Sequence, residues 1–304
     1  MVRPSSSPAL LEDALGGTAA DRLAIREGDL RDPESLRSAV SGCESILHVA
    51  AVYREARLPD AVYRDVNVEG TRRLAEAALA EGGIPFLYCS TCGVHGEVKD
   101  PPADETAPYH PGDIYQETKV EAEKIVLRLH REHGLPAVIL RPVGIYGPGD
   151  RRFLKLFRGV ARERFPMIGS GKVLYHLTYV DDVARGFLRA LECPRAYGEA
   201  FILAGARFTT VAELVELIAR ETGAQAPRFH FPAAPVYAAA LLCETLCRPL
   251  GVEPPLHRRR LDFFLKDRAF RIDKARRLLG WEPEVDLETG IRETLAWYRK
   301  KGWM

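Results

Sequence analysis

The sequence predicts an α/β fold: a doubly wound parallel sheet covered on both faces by helices, with a smaller mixed C-terminal lobe. Two observations carry that expectation. Short apolar segments alternate with longer segments of helical period from Leu23 to Leu203. The short ones, Phe86-Leu87-Tyr88-Cys89 and Ala137-Val138-Ile139-Leu140 among them, are apolar at every position. Strands buried on both faces read that way, and helical crossovers between them make the sheet parallel.

The elements follow in order. Leu23 to Glu27 reads as a strand leading into Gly28-Asp29-Leu30. Asp32 is a good N-cap and Pro33 suits a first helical position, so a helix runs from there to about Val40. Ser45 to Val49 is a second strand, and Ala61 to Glu81 is a long helix with Val66, Leu74, Ala77 and Ala78 on one face. A strand at Phe86 to Cys89, a helix from Tyr115 to His133 and a strand at Ala137 to Leu140 come next. Beyond Gly147 the regularity loosens. A helix near Phe153 to Glu163 precedes a turn at Gly169-Ser170-Gly171, and a helix from Asp182 to Leu191 leads to a returning strand, Ala200 to Leu203. Thr210 caps a helix to about Thr222, and the last helix spans about Leu287 to Lys300. The pattern groups residues 1–142 and 176–206 as one domain, and 143–175 and 207–304 as a substrate lobe, with no linker between them.

Composition excludes several classes. The chain has 43 basic and 42 acidic residues, a net charge of +1, which gives no overall field for nucleic acid or an anionic membrane. The basic run at 257–260 reads as a solvated face. Six cysteines, and no signal peptide at Met1-Val2-Arg3-Pro4, point to a reducing cytoplasm. Cys89 and Cys92 form a C-x-x-C, and Cys243 and Cys247 lie one turn apart. No histidine stands at ligand spacing beside either pair, so no metal site is expected. No run reaches ~18 apolar residues, so no spanning helix is expected. The nearest approach, Pro235 to Leu246, is broken by Glu244. It reads first as a buried helix, then as a lid over an apolar pocket, then as a membrane-surface helix.

The strongest chemical signal is Tyr115-Gln116-Glu117-Thr118-Lys119. Residues four apart share a helix face, so the phenol and the ammonium can point into one site. A free phenol has a pKa near ~10, a poor base at neutral pH, and a nearby lysine cation favours the phenolate. Thr91, directly after Ser90 at the end of a strand, stands where a hydroxyl can share the hydrogen bond to a substrate oxygen. Alone, Y-x-x-x-K is weak, with roughly 0.3 occurrences expected by chance, and its bland reading is an exposed helix pair. Its position, one element after a strand ending in Ser-Thr and before Leu140-Arg141-Pro142, gives it weight.

These pieces join others in a fixed order: Gly28-Asp29-Leu30-Arg31-Asp32, His48-Val49-Ala50-Ala51, Asn67-Val68-Glu69-Gly70-Thr71, Ser90-Thr91-Cys92-Gly93-Val94-His95-Gly96, Tyr146-Gly147-Pro148-Gly149, Tyr179-Val180-Asp181-Asp182-Val183 and Leu279-Gly280-Trp281-Glu282-Pro283. Over nearly its whole length the chain resembles the extended short-chain dehydrogenase/reductases, the NAD-dependent epimerase/dehydratase superfamily with a Rossmann-like fold. The resemblance implies that Tyr115 is the proton donor or acceptor, that Lys119 binds the nicotinamide ribose and tunes Tyr115, and that Thr91 orients the substrate oxygen. It implies that Asp29 and Leu30 flank the adenine, that Ala50, Ala51 and Ser90 line the dinucleotide, and that Pro142 sits near the nicotinamide. Asn67 would be a structural support inside its helix, with a helix-surface amide as the equal alternative. A homodimer packed through the helices at 61–81 and 115–133 is a further expectation.

The family's G-x-x-G-x-x-G, which lets a helix N-terminus approach the pyrophosphate, does not occur in these 304 residues. Gly16-Gly17 is followed by no apolar helix, and Met1 to Ser5 resembles the end of the family's second strand. The first strand and helix are therefore expected to be missing, with a true start upstream, or a shortened paralogue as the other reading. These residues alone are expected to bind dinucleotide weakly. Arg3 stands where the family selects its cofactor and leans the choice between NAD and NADP toward NADP.

Sugar-nucleotide enzymes of this fold carry Asn two residues before Tyr-Gly-Pro and Arg before Tyr-Val-Asp. Here those places hold Gly144 and His176 or Leu177. Phe229-His230-Phe231-Pro232 and the apolar stretch from Pro235 resemble instead the 3β-hydroxysteroid and sterol-4-carboxylate 3-dehydrogenase branch. The expected function is NAD(P)-dependent hydride transfer at a secondary alcohol or ketone of a bulky apolar small molecule. The alternatives are a nucleotide-sugar epimerase or dehydratase, and an inactive binding protein that has lost its cofactor loop.

Overall fold

The computed structural model describes residues 1, 23–53, 55, 58–247, 256 and 258–304. The chain forms two compact units. The first comprises Met1–Val94, Pro111–Arg141 and Phe187–Phe201, and the second His95–His110, Pro142–Gly186 and Ile202–Met304. Residues 95–110, Pro142, 176–186 and 202–206 thus fall in the second unit, not in the first.

In the first unit a four-stranded sheet has the order β1 (Ile46–His48), β2 (Phe86–Cys89), β3 (Ala137–Pro142) and β4 (Ala200–Leu203), whose first two residues belong to this unit. β1 and β2 are parallel with Ile46 opposite Phe86, and β2 and β3 are parallel with Phe86 opposite Ala137. On the β4 side, Gly198 N donates to Ala137 O and Ile139 N to Glu199 O. Every residue of β2 and β3 is buried, as the apolar runs Phe86–Cys89 and 137–140 require, and Arg141 at the end of β3 is buried as well.

α1 (Pro33–Val40) starts where the sequence places it, with the Asp32 side chain accepting from Glu34 N. The strand expected at Leu23 to Glu27 is absent: only Glu27 makes a β-bridge. The apolar run there is three residues long and half exposed, and Arg26 instead donates to the carbonyls of Ser38, Ala39 and Ser41 behind α1.

The single helix expected at 61–81 is also corrected. It is α2 (Asp60–Tyr63), a π-helical segment Arg64–Glu69, and α3 (Gly70–Ala80). The wide turn closes with Gly70 N donating to Asp65 O, and a Cβ on Gly70 would meet Leu30 Cβ at 2.8 Å. α4 (Ile114–His133) is capped by Asp113, which accepts from Gln116 N, and ends at Gly134 in the left-handed region. The core between helices and sheet holds Leu36, Val40, Leu74, Ala78, Phe86, Tyr88, Val126 and Ile139.

The second unit carries α5 (Leu154–Ala161), most of α6 (Val180–Leu191), α7 (Val211–Thr222), α8 (Ala233–Cys247), α9 (Arg258–Leu265), α10 (Asp273–Leu279) and α11 (Leu287–Lys300). Short ladders join Gly144–Tyr146 to Leu177–Tyr179, Met167–Ile168 to His230–Phe231, and Leu174–Tyr175 to Thr209–Thr210. Its core includes Tyr146, Phe157, Val215, Ile218, Ile291, Leu295 and Tyr298.

Asp182 locks this unit internally. Its buried carboxylate accepts from Glu284 N at 2.7 Å and Val285 N at 3.3 Å and pairs with Arg185, while its carbonyl accepts from Trp281 Nε1 at 3.0 Å. The Tyr-Val-Asp-Asp and Gly-Trp motifs of the sequence are therefore the two halves of one brace. α8 corrects another expectation: of its residues only Ala240 is buried, so it is no core helix. A helix apolar on every side has no periodicity from which to read its burial.

Candidate active site

The site is built within the first unit, where β2, the π-helical segment and α4 converge. β2 delivers Ser90 and Thr91 at its C-terminal end, and the first two turns of α4 carry Tyr115 and Lys119. Lys119 is buried and its Nζ donates to Cys89 O at 2.7 Å. The same ammonium lies 4.6 Å from the centre of the Tyr88 ring and 5.9 Å from that of Tyr115. The i, i+4 spacing thus brings phenol and ammonium together as the sequence predicts. Burial pushes Lys119 down to about 8, against the opposing pull of Cys89 and Glu123. Burial raises the Cys89 thiol, so it stays protonated at neutral pH.

The hydroxyls beside this pair differ. Thr91 Oγ1 accepts from Gly93 N at 3.0 Å, which leaves its own proton to donate elsewhere. Ser90 Oγ is buried without a hydrogen-bond partner. Tyr115 packs edge-on against Tyr53, with ring centres 4.8 Å apart. Below β3, Arg141 and Glu123 form a buried two-pronged pair at 3.0 and 2.7 Å, and the Cys92 thiol donates to Arg141 O.

Asn67 sits in the π-helical segment and is spent entirely on bracing. Its Nδ2 donates to Val52 O and Thr118 Oγ1 at 3.0 Å, and its Oδ1 accepts from Val52 N at 2.8 Å. Thr118 Oγ1 in turn donates to Tyr115 O at 2.8 Å. One amide therefore ties the loop after β1, which holds Ala50 and Ala51, to the backbone of the residue that carries the phenol. This settles Asn67 as a buried support rather than a surface amide.

Two neighbours were invisible in the sequence. His48 is buried, its Nε2 lies 2.9 Å from Thr71 Oγ1, and Thr71 gives its own proton to Asn67 O at 2.7 Å. His48 Nε2 is therefore the donor, and burial together with the Lys119 charge pushes this imidazole down to about 3. Tyr88 supplies the ring beneath the ammonium, a cation–π contact in a site without water screening. Both belong to segments already singled out, but their meeting depends on the register of β1 against β2.

The remaining candidates lie as follows. The Asp29 carboxylate accepts from Arg31 N, Nε and Nη2, and Leu30 is buried beneath α3. Ala50 is exposed and Ala51 half-buried after β1, and Pro142 closes β3 in the second unit. Arg3 and Gly16-Gly17 lie outside the described residues. The orphaned Ser90 hydroxyl and the remaining N–H groups of Lys119 fit the hydroxyls of a nicotinamide ribose. Among the described residues no glycine-rich turn onto a helix offers backbone donors to a pyrophosphate.

Comparison with known proteins agrees. Residues 3–204 match the NAD dependent epimerase/dehydratase family. The chain is 32% identical to the decarboxylating sterol-4-alpha-carboxylate 3-dehydrogenase of Saccharomyces cerevisiae, over 91% of this chain and 83% of that one. It is 29% identical to 3beta-hydroxysteroid-dehydrogenase/decarboxylase isoform 1 of Arabidopsis thaliana, over 97% of this chain and 70% of that one. The crystal structure of gox2253 superposes with a TM-score of 0.82 at 33% identity, covering 100% of this chain and 90% of the other. A dTDP-glucose 4,6-dehydratase from Streptomyces venezuelae, solved with NAD, shares the fold at TM-score 0.77 and 24% identity, over 98% of this chain and 85% of that one. The chain belongs to the NAD dependent epimerase/dehydratase family, the extended short-chain dehydrogenase/reductases.

Proposed function

We propose that this chain is an NAD(P)-dependent dehydrogenase that interconverts a secondary alcohol and a ketone on a bulky apolar, 3β-hydroxysteroid-like substrate. The observation that carries the reading is the buried Lys119 ammonium fixed on Cys89 O, one turn from Tyr115 and beside the Ser90-Thr91 strand end. The nicotinamide, when bound, supplies the hydride acceptor or donor. The chain's own part is proton chemistry and positioning. Tyr115 Oη takes the alcohol proton or returns it to the ketone, and the adjacent cation stabilises the phenolate. Thr91 Oγ1 donates to the same substrate oxygen, and Lys119 and Ser90 hold the ribose hydroxyls. Ala50 and Ala51 offer the dinucleotide small side chains, with Asp29 and Leu30 toward the adenine.

The substrate class rests on relatives named as 3-beta-hydroxysteroid or sterol dehydrogenases and on two positions in the second unit. A Cβ on Gly144 would meet Leu177 Cδ2 at 2.9 Å, so the asparagine of sugar-nucleotide enzymes would require the Leu177 side chain to move. His176 is buried with Nε2 donating to Gly205 O and Nδ1 accepting from Phe270 N, and burial pushes it down to about 4. A neutral, satisfied imidazole cannot replace an arginine on a diphosphate. Free cysteines at all six positions support a cytoplasmic location, and the helical faces at 61–81 and 115–133 are the proposed homodimer contact.

Reduction of saturating NAD or NADP by 3β-hydroxysteroids tests the reading. Substrate-dependent nicotinamide absorbance supports it. Thermal stabilisation by UDP-sugars with no turnover of steroid alcohols would replace it with the nucleotide-sugar reading, and no dinucleotide binding even by a chain extended at its N-terminus with the family's glycine-rich segment would replace it with a silent binding protein.

A further inference from the structure

Lys119 is a buried cation without a counter-ion. Among the described residues no carboxylate pairs with it, and Glu123, one turn further along α4, is spent on Arg141. A buried ammonium is costly unless its charge and its N–H groups are met. Cys89 O meets one N–H at 2.7 Å, and the ring of the preceding residue, Tyr88, lies 4.6 Å from the same nitrogen. Successive residues of β2 thus give one charge a carbonyl lone pair and an aromatic face.

Strand register fixes the ring. Tyr88 stands opposite His48 on β1 and Ile139 on β3, and it is buried in the core shared with Phe86, Ala122 and Val126. Its hydroxyl is buried on the side of Thr71, whose own hydroxyl is engaged by His48 and Asn67, and has no hydrogen-bond partner. The ring is therefore what Tyr88 brings to the site. The ionisable groups facing the ammonium are Tyr88 itself and the Cys89 thiol on β2, His48 on β1, and Glu123 and Tyr115 on α4. Burial keeps the Tyr88 phenol and the Cys89 thiol protonated, and His48 neutral, at neutral pH. A carboxylate in place of the ring would also hold the cation, but its negative charge would oppose ionisation of Tyr115. An aromatic face holds the cation through its quadrupole and adds no net charge.

We propose, resting on the reading of Tyr115 as the proton-transfer group, that Tyr88 is a positioning residue of the reaction: its ring serves with Cys89 O in place of a counter-ion and holds the Lys119 ammonium beside the Tyr115 phenol. The charge that acts on the phenol is thereby held from β2 rather than by an acidic partner.

Weakening the ring in place tests this, since Tyr88→Leu would open the core as well as remove the aromatic face. Tyr88→Phe keeps the face and is the reference. Difluoro- and trifluorophenylalanine at the same position keep the shape while draining the π charge in steps. Lys119 is titrated by NMR of protein labelled at lysine Cε, assigned with Lys119→Met, and the pH–rate profile of steroid alcohol oxidation is taken beside it. Melting curves check that each variant folds. The reference should retain the parent's Lys119 midpoint. The trifluoro ring should lower that midpoint, and the rate limb near pH 8, by about one pH unit, which is about fivefold in rate at pH 8 and little below about pH 6. The difluoro ring should fall between. A midpoint that stays or rises as the ring loses its π charge overturns the proposal, and so does one that falls while the rate profile stays in place. A midpoint that falls in a chain that turns over no steroid alcohol supports the ring's hold on the ammonium and overturns the dehydrogenase reading instead.

Discussion

Lys119→Met is expected to stabilise the fold at neutral pH while abolishing turnover. Burial lowers the Lys119 pKa from 10.5 to about 8. A base whose folded pKa lies below its unfolded one opposes folding wherever both states hold the proton. Here that is below about pH 8, and at 1.36 kcal/mol per unit the penalty is about 3 kcal/mol. Methionine fills most of the lysine side chain's length without the charge, but leaves Cys89 O without its donor, which costs about 2 kcal/mol. The net expectation at pH 7 is a gain near 1 kcal/mol, or about 2 °C in Tm for a chain of this size.

The pH dependence is the sharper half. Between about pH 8 and 10.5 the folded parent sheds its proton before the unfolded chain does, so its stability rises by about 3 kcal/mol relative to the variant, and the order of the two reverses. Urea unfolding of both proteins across this range reads the difference directly, with other titrating groups cancelling. A difference that stays constant with pH, or a variant several degrees less stable at pH 7, would refute the reasoning that burial dominates at Lys119.

Other expectations follow from the same geometry. In the direction of alcohol oxidation, the rate should fall as pH rises through about 8, because the protonated ammonium that supports the Tyr115 phenolate is lost there; a pH–rate profile reads this. Tyr115→Phe should lower turnover by roughly 10²–10⁴-fold with little change in Tm, checked by steady-state kinetics beside melting curves. Asn67→Leu removes three hydrogen bonds from a buried site and should cost about 2–4 kcal/mol in urea unfolding. Asp182→Asn weakens the side-chain brace to Glu284 N, Val285 N and Arg185, leaving the Trp281 bond to the backbone carbonyl, and should cost about 2–3 kcal/mol by the same measurement.

Much of the framework was legible because local chemistry agreed with the fold. Asp32 and Thr210 cap the helices they were expected to cap, and β2 and β3 are apolar on both faces because both faces are covered. The Tyr115–Lys119 pair was legible because helical spacing alone brings phenol and ammonium together. The π-helical segment was not, since Arg64 to Glu69 keeps an ordinary helical pattern while Asn67 trades helix geometry for three bonds to the Val52 loop and Thr118. Tyr88 under Lys119 and His48 on Thr71 arise from strand register, which no single segment encodes. α8 misled because a stretch apolar at nearly every position looks the same whether it is buried or exposed.

Hydride transfer served by Tyr115 can be read from the enzyme and a single variant. The parent protein and Tyr115→Phe are each given saturating NAD or NADP and a panel of 3β-hydroxysteroids, with reduced nicotinamide followed by absorbance and dinucleotide binding by fluorescence. Steroid-dependent reduction by the parent is expected, and its loss in the variant with binding retained. Equal turnover by both proteins, or dinucleotide binding by the parent with no turnover of any steroid alcohol, would contradict it.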